Sequence, residues 1–317
     1  MEDKPEYEVS YFPVIELSSL RRRARHDLLS VGEQICDAAQ QYGFFYVKNH
    51  GIDGSVIDSV FETARDFFTL PDESKIEVAV SESHRGFLGI GASTMEGYRQ
   101  ADLKESYIWG LDIDADSAEA ADERNLLAAN RWPESLPGMR KVLNNYFAAT
   151  HECARDILEA VAIYLGEEQD HFSKHFRRPT SRGSLIYYPP NTGANGEYGV
   201  SPHTDFGCLS LLCQRSSGLR VQTPQGEWHR ADPISDTFVV NIGDLLARWT
   251  NDRFVSVPHC VVNENSDARY SVVVFVDPDS RTLIDPVVGD GESTLYEPIE
   301  SDIYISGRFD RSFAYRN

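Results

Sequence analysis

Three side chains carry the strongest chemical signal in this sequence. His203 and Asp205 stand two apart in S-P-H-T-D-F-G, and His259 follows much later in V-P-H-C. On a strand, residues two apart face the same side, and later hairpins can return a third group to them. Two imidazoles and one carboxylate are a donor set that leaves half of an octahedral ferrous ion open to substrate and oxygen. A zinc hydrolase is the competing use of these ligands. It needs a general base nearby, and the sequence shows no obvious one. Arg269 and Ser271 form a second pair with the same spacing. A guanidinium fork with an adjacent hydroxyl suits a carboxylate, and the apolar run Y-S-V-V-V-F-V after Arg269 predicts its burial against an anion. A small dicarboxylate could chelate metal at one end and meet Arg269 at the other. Tyr188, closing L-I-Y-Y before Pro189-Pro190, adds a phenolic donor.

These groups need a scaffold, and the texture of the chain supplies one. Apolar spacing predicts a helix over 25–41, a strand over F-F-Y-V-K-N-H, a second helix over 54–68 stopped by Leu70-Pro71, and a long helix over 138–166 with a broad apolar stripe. Beyond Pro179, short β-branched and aromatic runs alternate with Gly, Pro, Asn and Asp, as in a strand-rich double sheet. Asp244–Trp249 is a helical turn at most, and 300–317 returns as a closing helix or strand whose Tyr304, Phe309 and Phe313 need something to cover. The expected fold is mainly β with a helical N-terminal part, a jelly roll. Residues 1–130 form a helical or mixed region packing on the core. Residues 131–317 hold the long support helix and the catalytic core, in one catalytic unit. The glycine-rich, aromatic segment 81–110 reads as an irregular wall or lid, and Arg85, Phe87, Tyr107 and Phe275 are the candidates for contacting substrate. Arg85 hints at an anionic group on that substrate.

Other features carry less. His50 reads as a turn residue and His151 as packing. His171 and His175 share helical spacing without the H-E-x-x-H order of a metal helix, and the acidic stretch 111–123, with Glu119, Asp122 and Glu123, lacks the glycine and register of a calcium loop. A net charge of −20 argues against nucleic acid as partner. No long apolar run or basic leader signals a membrane span or export. Five scattered cysteines fit a reducing, cytoplasmic setting rather than a disulfide framework. Nothing in the sequence fixes the oligomeric state.

The ordered series P-V-I-E-L, G-F-F-Y-V-K-N-H-G, Y-Y-P-P, S-P-H-T-D-F-G, G-L-R-V, N-I-G-D, R-W-T-N-D-R-F-V-S-V-P-H, R-Y-S and F-V-D-P, over roughly residues 10–290, resembles the isopenicillin N synthase-like family of iron(II)- and 2-oxoglutarate-dependent dioxygenases. The resemblance implies a double-stranded β-helix (jelly roll), Fe(2+) on His203, Asp205 and His259, and 2-oxoglutarate held by Arg269, Ser271 and Tyr188. It implies O2-dependent oxidation of an unactivated C–H in a small metabolite, often one of secondary metabolism, by hydroxylation, desaturation or ring formation, with release of succinate and CO2. An oxidase of the same fold that takes no 2-oxoglutarate keeps the same Arg-x-Ser pair, and a non-catalytic ligand-binding scaffold is the remaining alternative. Two positions depart from the family pattern: Ile186 where many members have Asn, and Cys260 where members commonly show Arg. Cys260 follows a ligand on a strand, so it should point away from the metal and alter only the surroundings of the site.

Overall fold

A computed structural model describes residues 11–80, 82–92, 101–118, 120, 126–190, 198–262, 266–289 and 291–312. The expectations for the first ten residues, for Glu119, Asp122 and Glu123, and for Phe313 lie outside the described residues.

In chain order the elements are β1 (Val14–Glu16), α1 (Arg25–Gln41), β2 (Phe44–Lys48), α2 (Gly54–Phe68), α3 (Asp72–Ile76), β3 (Gly86–Leu88), β4 (Glu105–Gly110), α4 (Met139–Tyr164), β5 (Arg182–Tyr188), β6 (Val200–His203), β7 (Leu209–Gln214), β8 (Leu219–Gln222), β9 (Trp228–Arg230), β10 (Thr237–Ile242), α5 (Asp244–Trp249), β11 (His259–Val261), β12 (Arg269–Val276), β13 (Leu283–Ile284), β14 (Ile299–Glu300) and α6 (Ser301–Ser312). Eight strands form one sheet in the order β1-β2-β10-β7-β12-β5-β4-β3, and four form a second in the order β6-β11-β8-β9. All pairings in these two sheets are antiparallel except β1 with β2.

The fold is therefore mixed α/β, which corrects the expectation of a mainly β chain: among the described residues, helices hold more of the chain than strands. The N-terminal region also contributes four of the eight strands in the large sheet. Segment 81–110 is not wholly irregular, because Gly86–Leu88 and Glu105–Gly110 pair at the sheet edge. Glycine is required at 86, where φ is +117° and a Cβ would collide with the Val78 carbonyl.

Period-two alternation on β12 shows how the sheet positions a site. Val272, Val274 and Val276 turn to one face and join a core with Leu143, Tyr146 and Ile157 of α4. That helix packs on α1, α2 and the back of β7 and β12, as its apolar stripe requires. Arg269, Ser271, Val273 and Phe275 turn to the other face and line a cavity of about 150 Å3. A second apolar cluster, with Tyr188, Val200, Leu219, Val221, Val261 and Val273, joins the two sheets around that cavity. Burial on both faces explains why β12 reads as an unbroken apolar run.

Candidate active site

Residues 203 and 259 meet because β6 and β11 are antiparallel neighbours in which His203 and His259 are direct cross-strand partners. Asp205 lies just past the end of β6. One donor atom from each of the three residues lies within 4.8 Å of the others, the only such cluster of three or more His, Cys, Asp or Glu among the described residues. The donor pairs measure 3.6 Å from His203 Nε2 to Asp205 Oδ1 and 3.7 Å from His259 Nε2 to Asp205 Oδ2.

Surrounding groups orient each donor. The His203 Nδ1 lies 2.8 Å from the Ser201 carbonyl. A carbonyl only accepts, so Nδ1 carries the proton and Nε2 offers its lone pair. His259 Nδ1 faces the Val257 carbonyl at a looser 3.5 Å. Burial, with His259 beside it, pushes the His203 pKa down to about 4, so the ring is neutral near pH 7. For Asp205 burial acts to raise the pKa, but the two imidazoles and hydrogen bonds from Ser210 and Asn241 outweigh it, and the net shift is downward. Ser210 Oγ donates to Asp205 Oδ2 at 2.5 Å and Asn241 Nδ2 donates to the same oxygen at 2.7 Å. Two imidazoles and a carboxylate, each with a neighbouring hydrogen-bond partner, fit a divalent transition metal. Gly207 keeps the turn after Asp205 tight, since a Cβ there would collide with Asp277 Oδ1.

At one end of the cavity, Arg269 is 1% exposed. Its Nη2 donates to Gln214 Oε1 at 2.9 Å, Nη1 to Ser271 Oγ at 3.4 Å, and Nε to the Ser217 carbonyl at 3.2 Å. The guanidinium carbon lies 4.7 Å from the centre of the ring of Tyr188, its cross-strand partner. Burial lowers its pKa below the ordinary value. No described carboxylate forms an ion pair with it, so a buried cation is surrounded by neutral acceptors. Such a cation is stabilised by an anion entering the cavity.

Phe275 lies on the cavity wall with the His-Asp-His cluster, Arg269, Ser271 and Tyr188, whereas Arg85, Phe87 and Tyr107 are not brought to it. Arg85 is buried with Nη1 on the His84 carbonyl and Nη2 on the Leu126 carbonyl, a brace between segments. Phe87 packs on Phe67. Tyr107 sits in the helix-side core with its hydroxyl donating to the Arg131 carbonyl at 2.8 Å. On β4 the period of two turns Ser106 and Ile108 to the cavity and Tyr107 behind it. Ile186 lines the cavity beside Ser271, its cross-strand partner. Cys260 is buried away from the cavity, and burial raises its thiol to about 11.

Sequence reasoning missed Ser210, Asn241 and Gln214 as supports, and Lys104, Arg182 and Phe309 as wall. The first three carried a legible signal, since each is a polar residue in an otherwise apolar strand. His50 accepts from the Ile52 amide at 3.2 Å in its turn, and His151 is half-buried against Phe147.

Residues 12–135 match the family described as non-haem dioxygenase in morphine synthesis N-terminal, and residues 181–278 match the 2OG-Fe(II) oxygenase superfamily. The chain is 34% identical over 303 residues to the 2-oxoglutarate-dependent dioxygenase citB of Monascus ruber, covering 90% of this chain and 92% of that protein. Its fold is similar to that of a full-length Neurospora crassa protein crystallised in complex with alpha-KG, with TM-score 0.83, 30% identity, and coverage of 96% and 97%. It is also similar to JOX2 in complex with 2OG, Fe and JA, with TM-score 0.78, 27% identity, and coverage of 93% and 84%. With this site on this scaffold, the chain belongs to the 2OG-Fe(II) oxygenase superfamily and is a non-haem dioxygenase that uses Fe(II) and 2-oxoglutarate to oxidise a small organic substrate.

Proposed function

We propose that His203, Asp205 and His259 are the iron ligands, that Arg269, Ser271 and Tyr188 hold the far carboxylate of 2-oxoglutarate, and that the prime substrate occupies the part of the cavity near Phe275. The observation that carries this reading is the line of β12. Arg269, Ser271, Val273 and Phe275 face one cavity in succession, and the His-Asp-His cluster lines the same cavity. Six residues at about 3.3 Å each put Phe275 roughly 20 Å from Arg269 along the strand, enough for cosubstrate and substrate to lie end to end. The two sheets, in this reading, are the walls of a double-stranded β-helix, and the N-terminal strands make residues 11–312 one catalytic unit.

When bound, iron with 2-oxoglutarate and O2 supplies oxidative decarboxylation to succinate and CO2, coupled to oxidation of a substrate C–H by hydroxylation, desaturation or ring formation. The chain's part is to bind, orient and exclude water. His203 presents its Nε2 lone pair, and Ser210 and Asn241 hold Asp205 Oδ2, fixing the carboxylate between the Nε2 atoms of His203 and His259. Arg269 sets the position of the oxo-acid by charge and by its planar fork. Val200, Leu212, Leu219, Val261 and Val273 give the cavity dry walls, where these polar contacts are strongest. A net charge of −20 supports a small molecule over nucleic acid as partner. Among the described residues no helix is long and apolar enough to cross a membrane. Five free, buried cysteines support a reducing, cytoplasmic setting.

The test is a stoichiometric assay of purified protein with Fe(II), 2-oxoglutarate and a candidate substrate library, reading succinate against oxidised product. One succinate per product supports the assignment. Product without succinate would move the protein to the oxidases of the same fold.

A further inference from the structure

We infer that the outer part of the cavity takes an uncharged, ring-bearing molecule with a hydrogen-bond acceptor, and discriminates against carboxylates. This rests on the proposed placement of 2-oxoglutarate at Arg269. The two ends of the cavity differ in how their cations are compensated. Arg269 has neutral neighbours. Lys104, on the wall just before β4, has Nζ 3.4 Å from the wholly buried Asp102, and at the end farther from Arg269, Arg182, the cross-strand partner of Phe275, has Nη2 2.6 Å from the wholly buried Asp277. Arg308, whose guanidinium lies 4.4 Å over the Phe206 ring, has Nη1 2.7 Å from Asp244. Each of these cations has a carboxylate of the chain against it, so the charges cancel in pairs. A substrate carboxylate entering here would give up its hydration without meeting an uncompensated cation, a loss that a neutral guest does not incur.

The same region is built from rings. Phe206, Phe275, Phe309 and His84 line it. His84 stacks on Phe309 with ring centres 4.9 Å apart, and the Arg182 guanidinium lies 4.1 Å over the Phe309 ring and 6.0 Å from that of Phe275. Phe309 comes from α6, so the C-terminal helix closes this end with an aromatic face. Ring faces on several sides favour a flat guest by stacking, and the guanidinium of Arg182 is a donor suited to a carbonyl or ring nitrogen. The charge pattern thus sorts the two small molecules: the oxo-acid goes to Arg269, and a neutral ring goes to the Phe309 end.

The experiment is calorimetric titration of matched probes, benzamide against benzoate and indole-3-acetamide against indole-3-acetate. Each is titrated into the protein alone and into the anaerobic protein with Fe(II) and 2-oxoglutarate. The expected result is amide binding roughly tenfold or more tighter than the acid in both pairs. In Asp277→Asn, Arg182 loses its carboxylate, and the preference should shrink or invert. Asp244→Asn makes the same test at Arg308 should the first variant not fold. Equal or tighter binding of the acids by the unaltered protein overturns the inference, and so does an absence of binding by all four probes at millimolar concentration. If Fe(II) or 2-oxoglutarate fails to bind in the preliminary titrations, the proposed cosubstrate site falls instead, and the amide-to-acid ratio is still read on the protein alone.

Discussion

Replacing Arg269 tests the division of labour in the cavity most directly. Arg269→Leu removes the buried guanidinium that faces Gln214, Ser271 and the Ser217 carbonyl. A hydrogen bond to a charged group contributes about 1.5–3 kcal/mol, and a bidentate grip on a carboxylate supplies two, so about 3–6 kcal/mol of 2-oxoglutarate binding is at stake. Removing a desolvated cation also relieves its burial cost, so the lower part of the range applies. At about 1.4 kcal/mol per decade, the dissociation constant should rise by at least roughly 100-fold. Arg269→Lys keeps the charge without the planar fork and should fall between. Iron affinity should not change, because Arg269 contacts none of His203, Asp205 or His259. The assay is anaerobic titration of 2-oxoglutarate into the ferrous protein by calorimetry, with circular dichroism to check folding. A folded Leu variant that binds 2-oxoglutarate within about fivefold of the parent would refute the assignment of the anion to this end.

Three further outcomes follow from the same geometry. His203→Ala or Asp205→Ala should abolish ferrous binding and turnover together, while the fold persists, as read by metal titration and thermal melting. Ser210→Ala and Asn241→Leu free Asp205 Oδ2 and should weaken iron binding by roughly 10–100-fold each, with the ligands themselves intact. His151 sets part of the acid limit of stability. Burial lowers its pKa from 6.5 to about 4, so below pH 6.5 the unfolded chain binds a proton that the folded chain refuses. Stability is therefore full above pH 6.5 and is lost as pH falls toward 4, by about 3 kcal/mol at most at about 1.4 kcal/mol per pH unit. His151→Leu should flatten the denaturant midpoint between pH 4 and 6.5, and an unchanged slope would remove His151 from the account.

Much of this molecule was legible in its residues, for definable reasons. The helices over 25–41 and 54–68 coincide with α1 and α2 because their apolar spacing is strong and their ends are marked, by Gly43 after the first and Leu70-Pro71 after the second. The closeness of His203 and Asp205 was legible from their two-residue spacing, although Asp205 lies just past β6 and reaches the cluster from the turn before Gly207 rather than from a shared strand face. The substrate wall was not, since β3 and β4 are short edge strands whose facing is set by pairing, β3 with β4 and β4 with β5, rather than by any local pattern. Arg85 shows the difficulty: an arginine among glycines and aromatics looks like an anion receptor, and only the fold reveals Nη1 on the His84 carbonyl and Nη2 on the Leu126 carbonyl. Phe309 was legible only as an apolar residue needing cover, because its contact with the cavity comes from the far end of the chain. The many short strands of the second half dominate the pattern, yet α1, α2 and α4 together hold nearly as much of the described chain as all the strands.

The direct pairing of His203 with His259 across β6 and β11 ties metal capture to strand alignment. A slip of one residue between these strands would turn one imidazole outward while leaving most backbone bonds of the small sheet remade. A chain frozen in that slipped state would be well formed by most optical measures yet blind to iron. Ferrous ion added during refolding should then act as a proofreader, drawing the population toward the one alignment that presents both rings.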